Sequence, residues 1–180
     1  MAASPHSRAE PRSLADDRES DEQNQYLTFR VREETFAMGI LAIKEIIEFG
    51  ALTPVPMMPA CVRGVINLRG RVVPVVDLAV RFGREPTAPH RRTCVVIVEV
   101  SSEGEQQDIG VMVDGVNQVL EIAAHDIEPA PGFGAKVRPE FIAGMGKLDG
   151  ELVVIIDVGR VLSADDLAAL MPGSRDGEAA

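Results

Sequence analysis

Tryptophan is absent from this chain, tyrosine occurs once, and aromatic residues are only 4% of a sequence that is 46% apolar. The core therefore has to be aliphatic, mostly Val, Ile and Leu. Valine and isoleucine are stiff at χ1 and fit a pleated surface better than a helix, which points to an all-β protein. Cysteine is scarce too. Cys61 and Cys94 stand 33 positions apart, outside any metal-ligand spacing, and read as two buried free thiols of a reducing compartment. His6, His90 and His125 fall in a tail, a connection and a loop with no second ligand at a suitable spacing, so neither a metal nor another cofactor is expected. Cations are in the minority: 18 Lys and Arg against 28 Asp and Glu leave a formal charge of −10. Nucleic acid, whose binding relies on clustered basic residues, is disfavoured. No run approaches the roughly 18 apolar residues of a membrane helix, and the first residues hold no apolar signal-peptide core. A cytoplasmic protein without direct membrane insertion is expected.

What the chain does contain is a repeat. Residues 64–78 read Gly-Val-Ile-Asn-Leu-Arg-Gly-Arg-Val-Val-Pro-Val-Val-Asp-Leu. Residues 144–158 read Gly-Met-Gly-Lys-Leu-Asp-Gly-Glu-Leu-Val-Val-Ile-Ile-Asp-Val. Five of the fifteen aligned positions are identical, Gly64, Leu68, Gly70, Val73 and Asp77 matching Gly144, Leu148, Gly150, Val153 and Asp157 at an offset of 80. A second stretch, residues 36–49, aligns with residues 109–122 at an offset of 73, pairing Ile46 with Val119 and Glu48 with Glu121. Internal self-similarity fixes architecture, and here it predicts two related β subdomains.

Along the chain, residues 26–31 alternate polar and apolar side chains and read as a strand starting near Gln25. Residues 35–40 read as a second strand, 41–45 as a brief helical turn, and 46–49 as a further strand. Residues 62–68 and 72–76 form a hairpin with Gly70 at its turn. Pro74, lacking an amide proton, requires that strand to lie on an edge or to turn the nitrogen away from its neighbour. Residues 81–92 read as a basic, proline-containing connection, 94–100 as a strand, and 101–108 as a polar loop. Asp114-Gly115 between two apolar runs predicts a second hairpin, 109–113 with 116–122. Ser163 is suited to cap a closing helix over 164–170. Residues 1–24, with three Arg and six acidic residues, and residues 172–180 are polar and read as disordered tails. One domain is thus expected over 25–171, with approximate halves 25–85 and 92–162 that are free to exchange elements.

No catalytic constellation emerges. Asp77 and Asp157 are repeat-related strand ends suited to cap short helices, and Asp114 sits in a turn, so each has a structural role available. A nucleophile and base made from Cys94 and His90 would need a thiol in an apolar strand to be activated, whereas such thiols are ordinarily inert packing. The glycines of 144–150 miss the dinucleotide-binding spacing and no helix follows to receive a phosphate.

Gly64-Val-Ile-Asn67-Leu-Arg69-Gly70 followed by Val-Val-Pro74-Val-Val-Asp77-Leu resembles the signature of the CheW family of chemotaxis coupling proteins. The likeness continues through residues 26–29, 38–45, Val113-Asp114-Gly115-Val116, 127–131, Phe133 and the second glycine-rich copy. It implies two five-stranded SH3-like barrels on a shared aliphatic core, with short connecting helices and a short C-terminal helix. It implies no catalytic role. It implies an adaptor, monomeric alone and a ring member in arrays, that joins the helical hairpin of methyl-accepting chemoreceptors to the regulatory domain of a CheA-type histidine kinase at the inner membrane. The receptor groove maps onto Ile40, Ile43, Glu45, Ile46, Arg69 and Val95, and the kinase-domain surface onto Val116, Val119 and Phe133. Gly64, Asn67, Gly70, Asp77, Asp114 and Gly115 carry the structural motif. A parallel system controlling pili or surface behaviour, and a ring or filament scaffold without a kinase, are the alternatives.

Overall fold

The computed structural model describes residues 24–102, 104–130 and 137–163. Phe133, the expected helix over 164–170, residues 1–23 and residues 171–180 lie outside the described residues. Among the described residues eleven strands and two short α-helices follow one another, with 3₁₀ turns at Ile40–Ala42, Ala124–Asp126 and Pro139–Phe141: β1 (Gln25–Val31), β2 (Glu34–Gly39), β3 (Ile43–Glu48), β4 (Val62–Leu68), β5 (Arg71–Asp77), α1 (Leu78–Arg81), β6 (Cys94–Ser102), β7 (Glu105–Val113), β8 (Gly115–Glu121), β9 (Ile127–Glu128), β10 (Ile142–Leu148), β11 (Glu151–Ile156) and α2 (Val158–Val161). They form two sheets, of order β8-β1-β2-β11-β10-β9 and β3-β6-β7-β5-β4.

The two orders superimpose strand for strand. β8, β1, β2, β11 and β10 of one sheet stand where β3, β6, β7, β5 and β4 stand in the other. Even the parallel contacts repeat, Ile155 opposite Ala37 and Val75 opposite Gly110. This is an all-β fold of two related SH3-like subdomains. The first hairpin of the chain belongs to the sheet completed by its last strands, while residues 43–113 supply the whole of the other.

Three apolar clusters hold it together. Val73, Val75, Val95, Ile97 and Met112 fill one subdomain, and Ala37, Ile122, Val153 and Ile155 fill the other. The largest cluster lies between the sheets and unites Leu27, Phe29 and Phe36 with Val96, Val98, Phe82, Phe141 and Val161. Aliphatic residues dominate, as the composition implies. The few aromatics are nevertheless concentrated here, because Phe29, Phe36, Phe82 and Phe141 form a chain of rings with centroids 5.2–6.3 Å apart.

Five local expectations change. The helical turn expected over 41–45 is a 3₁₀ turn at Ile40–Ala42, and strand already begins at Ile43. Asp114-Gly115 does not close a hairpin: β7 pairs with β6, and β8 pairs with β1 in the opposite sheet. Gly115 has no positive φ, and Asp114 donates its N–H to Arg30 O at 2.9 Å while its carboxylate accepts the Arg32 N–H. Both bonds hold the crossover extended, so tertiary pairing overrides the turn tendency. The polar stretch 101–108 is not a loop but the tip of a hairpin, in which Ser101 pairs with Gln106 and Ser102 with Glu105. Arg81 is not part of an exposed connection. It is 7% exposed, lies over the Phe141 ring at 4.6 Å, and donates from Nε to Val161 O at 2.8 Å. Pro74 is not on an edge strand, since β5 runs between β4 and β7. Its nitrogen does turn away from β4: the N–H and C=O of Val65 opposite both bond Thr53, and pairing with β7 begins only at Val75.

The turn chemistry is duplicated. Arg69 and Gly70 have φ of 52° and 84°, and Asp149 and Gly150 have 47° and 81°, the pair of positive values that a two-residue hairpin turn demands. Asn67 Oδ1 accepts the Gly70 N–H at 2.8 Å and locks the first of these turns. Gly64 is fixed by close approach, because a Cβ there would stand 2.6 Å from Thr53 O.

Asp77 and Asp157 each cap the helical turn that follows, as expected, but their surroundings differ. Asp77 is fully buried and accepts from Ala79 N, Thr87 N, Thr87 Oγ1 and Arg63 Nη1 at 2.8–3.0 Å. It thereby ties the connection after α1 to the hairpin. Asp157 is 42% exposed and, among the described residues, its carboxylate meets only its own turn and Arg160. Asp77→Asn, which presents donors to donors, is expected to lower stability by about 3 kcal/mol. Asp157→Asn, an equally good cap, should leave it nearly unchanged. Chemical denaturation of the two variants checks this, and equal losses would refute it.

Candidate functional site

A strand alternates faces with a period of two, so Ile43 and Ile46 ought to point to opposite sides of β3. A bulge at Lys44 cancels that. Ile43 pairs with Val98 and Ile46 with Val96, whereas Glu45 pairs with Ile97 and Ile47 with Val95. Partners directly opposite share a face, and Val96 and Val98 both belong to the central cluster. Ile43 and Ile46 therefore share the face toward the seam between the sheets. Ile43 and Ile40, at the edge of that cluster, are partly buried against it, and Ile46 remains 43% exposed.

The same device recurs on β8. Its register shifts between Thr28 and Phe29, so that Val116 pairs with Phe29 and Val119 with Leu27. The skipped residue is Asn117, the equivalent of Lys44 at the offset of 73. Val116 packs on the central cluster like Ile43, and Val119, 54% exposed, is the counterpart of Ile46. The two sets of residues expected to meet different partners are thus copies of one structural feature, each on the edge strand of its own sheet. The offset-73 alignment held the signal, since it pairs Ile43 with Val116 and Ile46 with Val119.

The remaining expected groove residues separate from these. Val95 is 1% exposed and part of the interior cluster of its subdomain, so it supports the wall from behind rather than lining an open groove. Glu45 lies on the same face of the sheet as Val95 and is joined by Arg69, whose Nη1 and Nη2 donate to its two carboxylate oxygens. The pair fastens the β4–β5 turn to the edge of β3. It also holds the guanidinium, 73% exposed, above its ordinary pKa through that hydrogen bond and the adjacent negative charge. Around it is a depression of about 250 Å³ where Lys44 meets Asp108 at 3.0 Å and Arg71 meets Asp108 at 3.3 Å. The second copy places Asp149 where Arg69 stands, so this fork exists on one side only.

Cys94, His90 and Asp114 line one trough, but among the described residues no hydrogen bond joins the thiol to the imidazole. Cys94 donates its thiol to Arg92 O at 3.2 Å, while His90 accepts from Arg92 N at Nδ1 and faces Asp114 at 3.7 Å through Nε2. Among the described residues no group of three His, Cys, Asp or Glu could hold a metal, and no helix is long and apolar enough to cross a membrane.

Two small barrels with matched apolar edges, one of them carrying an arginine fork, define a paired SH3-like docking module. The family model for the CheW-like domain matches residues 25–166, and the chain belongs to the CheW family. It is 31% identical over 144 residues to the chemotaxis protein CheW of Klebsiella aerogenes, covering 80% of this chain and 84% of that one. To the CheW of Rhizobium meliloti it is 32% identical over 143 residues, covering 79% and 90%. It is also 28% identical over 145 residues to the protein FrzA of Myxococcus xanthus, covering 78% and 86%. The crystal structure of the scaffolding protein TtCheW from Thermoanaerobacter tengcongensis superimposes with a TM-score of 0.70 at 28% identity, covering 87% of this chain and 92% of that one. Membership places the chain among the scaffolds and adaptors of chemotaxis.

Burial raises the pKa of both thiols, with Glu48 adding to the effect at Cys94 and the Arg81 charge opposing it at Cys61. A raised pKa lowers the thiolate fraction at neutral pH, and the thiolate is the reactive form. Alkylation of Cys94 at neutral pH is therefore expected to be slower than that of free cysteine and to rise toward it only above the pKa of a free thiol. A faster rate at neutral pH would restore the nucleophile reading.

Proposed function

We propose that this protein couples the cytoplasmic helical tip of chemoreceptors to the regulatory domain of a CheA-type histidine kinase, contributing surfaces rather than chemistry. The observation that carries the reading is the duplicated bulged edge strand, which gives one small protein two apolar contact faces in the same geometry. The receptor hairpin takes the seam beside Ile40, Ile43 and Ile46, where an amphipathic helix can lay its apolar face. Arg69, braced by Glu45, orients it through its planar fork of donors. The kinase domain takes the opposite edge at Val116 and Val119, and Phe133, outside the described residues, is assigned to it by the family resemblance alone. Binding at two like faces makes the protein a ring member in the array and leaves it monomeric alone, recruited to the inner membrane by its partners. The similarity to FrzA supports a second reading, a parallel chemosensory system governing pili or surface behaviour with the same two faces.

Capture of a receptor cytoplasmic fragment and of the kinase from the same cell tests both faces. Ile46→Asp and Arg69→Ala are expected to weaken the receptor arm and spare the kinase arm. Val119→Asp is expected to do the reverse, each by about tenfold, the scale of losing one well-packed contact. Unchanged melting of the Arg69→Ala protein would accompany this, because the fork is exposed. Retention of both partners by all three variants would refute the assignment.

A further inference from the structure

The two edge faces leave one feature unused. A trough of about 990 Å³ lies where the β1–β2 turn, the connection after α1 and the β7–β8 crossover meet. Its charged lining is Arg30, Arg32, Arg84 and Arg92 against Glu33, Glu34 and Asp114, with His90 beside them. Most of the negative charge is already engaged. Glu34 holds Arg84 at 3.0 Å, and Asp114 accepts the Arg32 backbone N–H and faces His90. Arg30, Arg32 and Arg92 differ: among the described residues their guanidinium groups make no hydrogen bond or ion pair. The contrast with the depression at Arg69 is direct, since Lys44, Arg69 and Arg71 there are each paired with a carboxylate.

In a chain carrying −10, three exposed arginines, two from the end of β1 and its turn and one from the connection after α1, that find no acceptor of their own among the described residues define a site for an acceptor from elsewhere. Its lining holds no Phe, Tyr or Trp on which a nucleotide base could stack. One wall is the start of β8, the last strand of its sheet, whose outward backbone groups are open to an extended chain.

We propose that this trough docks an extended acidic segment of a partner protein, with its carboxylates held by Arg30, Arg32 and Arg92. The docking does not rest on the receptor and kinase assignments, because the trough meets the kinase-side face only at Val116. Guanidinium groups suit the role because their donor forks match carboxylates in fixed geometry. Glu33, the lining carboxylate without an ion pair among the described residues, acts against the ligand and sets the length of acidic run that is accepted.

A fluorescent synthetic peptide rich in Glu and Asp, titrated into the full chain, provides the test. Binding at low salt is expected to weaken about tenfold in R30Q/R32Q/R92Q, the combined effect of three exposed pairs, and to fade at high salt through screening. R91Q, a neighbouring exposed arginine outside the trough, should bind as the wild type does, and E33Q more tightly. An unchanged melting transition of the triple variant would assign its loss to the trough. Equal affinity of the triple variant and the wild type would overturn the proposal. So would pyrophosphate displacing the peptide with an affinity as high as the peptide's own, since a compact anion would then suffice.

Discussion

Neither sheet can cover both of its faces alone, and the rest of the structure depends on how that is met. Each subdomain fills its own interior with a small aliphatic cluster, but the outward faces of β1 and β6 remain apolar through Leu27, Phe29, Val96 and Val98. Burying these against one another creates the central cluster. Arg81 shows how closely the halves interlock. It and Val161 occupy the same position in the two copies, 80 residues apart, and they bond each other across the seam. A buried guanidinium is tolerated there because it has an aromatic face beneath it and a carbonyl to donate to. Removing water from the seam is what makes two halves of marginal size into one stable body.

The same constraint explains where recognition is possible. Strands inside each sheet are paired on both sides and packed on both faces, so they present little to a partner. β3 and β8 escape this by ending their sheets. Their bulges rotate two apolar residues onto one face, one serving the core and the next reaching solvent. Duplication thus supplied two bulged apolar edges at once, and the two copies differ in detail: Arg69 stands opposite Asp149 at the turns, and Asp77 is deeply buried where Asp157 is not. Proteins that connect others need this combination of common geometry and differing chemistry.

Much of this was legible in the sequence where the determinant is local. The hairpin at Gly70, the caps at Asp77 and Asp157, the first strand from Gln25 and the two-subdomain fold follow from turn glycines, capping carboxylates, alternation and self-similarity. What was not legible depends on partners far along the chain. Asp114-Gly115 has a hairpin's composition, yet its flanking strands find better neighbours in different sheets. Polar residues 101, 102 and 105–108 form strand because a hairpin tip tolerates them on both faces. Arg81 looks like any basic residue of a connection until Phe141 and Val161 are brought beside it. Val95 fits the family's groove pattern, but its position opposite Ile47 turns it inward.

The sequence by itself determined the duplication, the β class and the chemistry available, because these reside in periodicity, turn propensity and residue type. Only the tertiary structure decided which strands pair across the two halves. It also decided which of the repeat-related apolar residues face water, and which arginines find a carboxylate. Those outcomes depend on contacts between residues far apart in the chain, such as Phe29 with Val116 and Phe36 with Val154, and local preferences carry no information about distance through space.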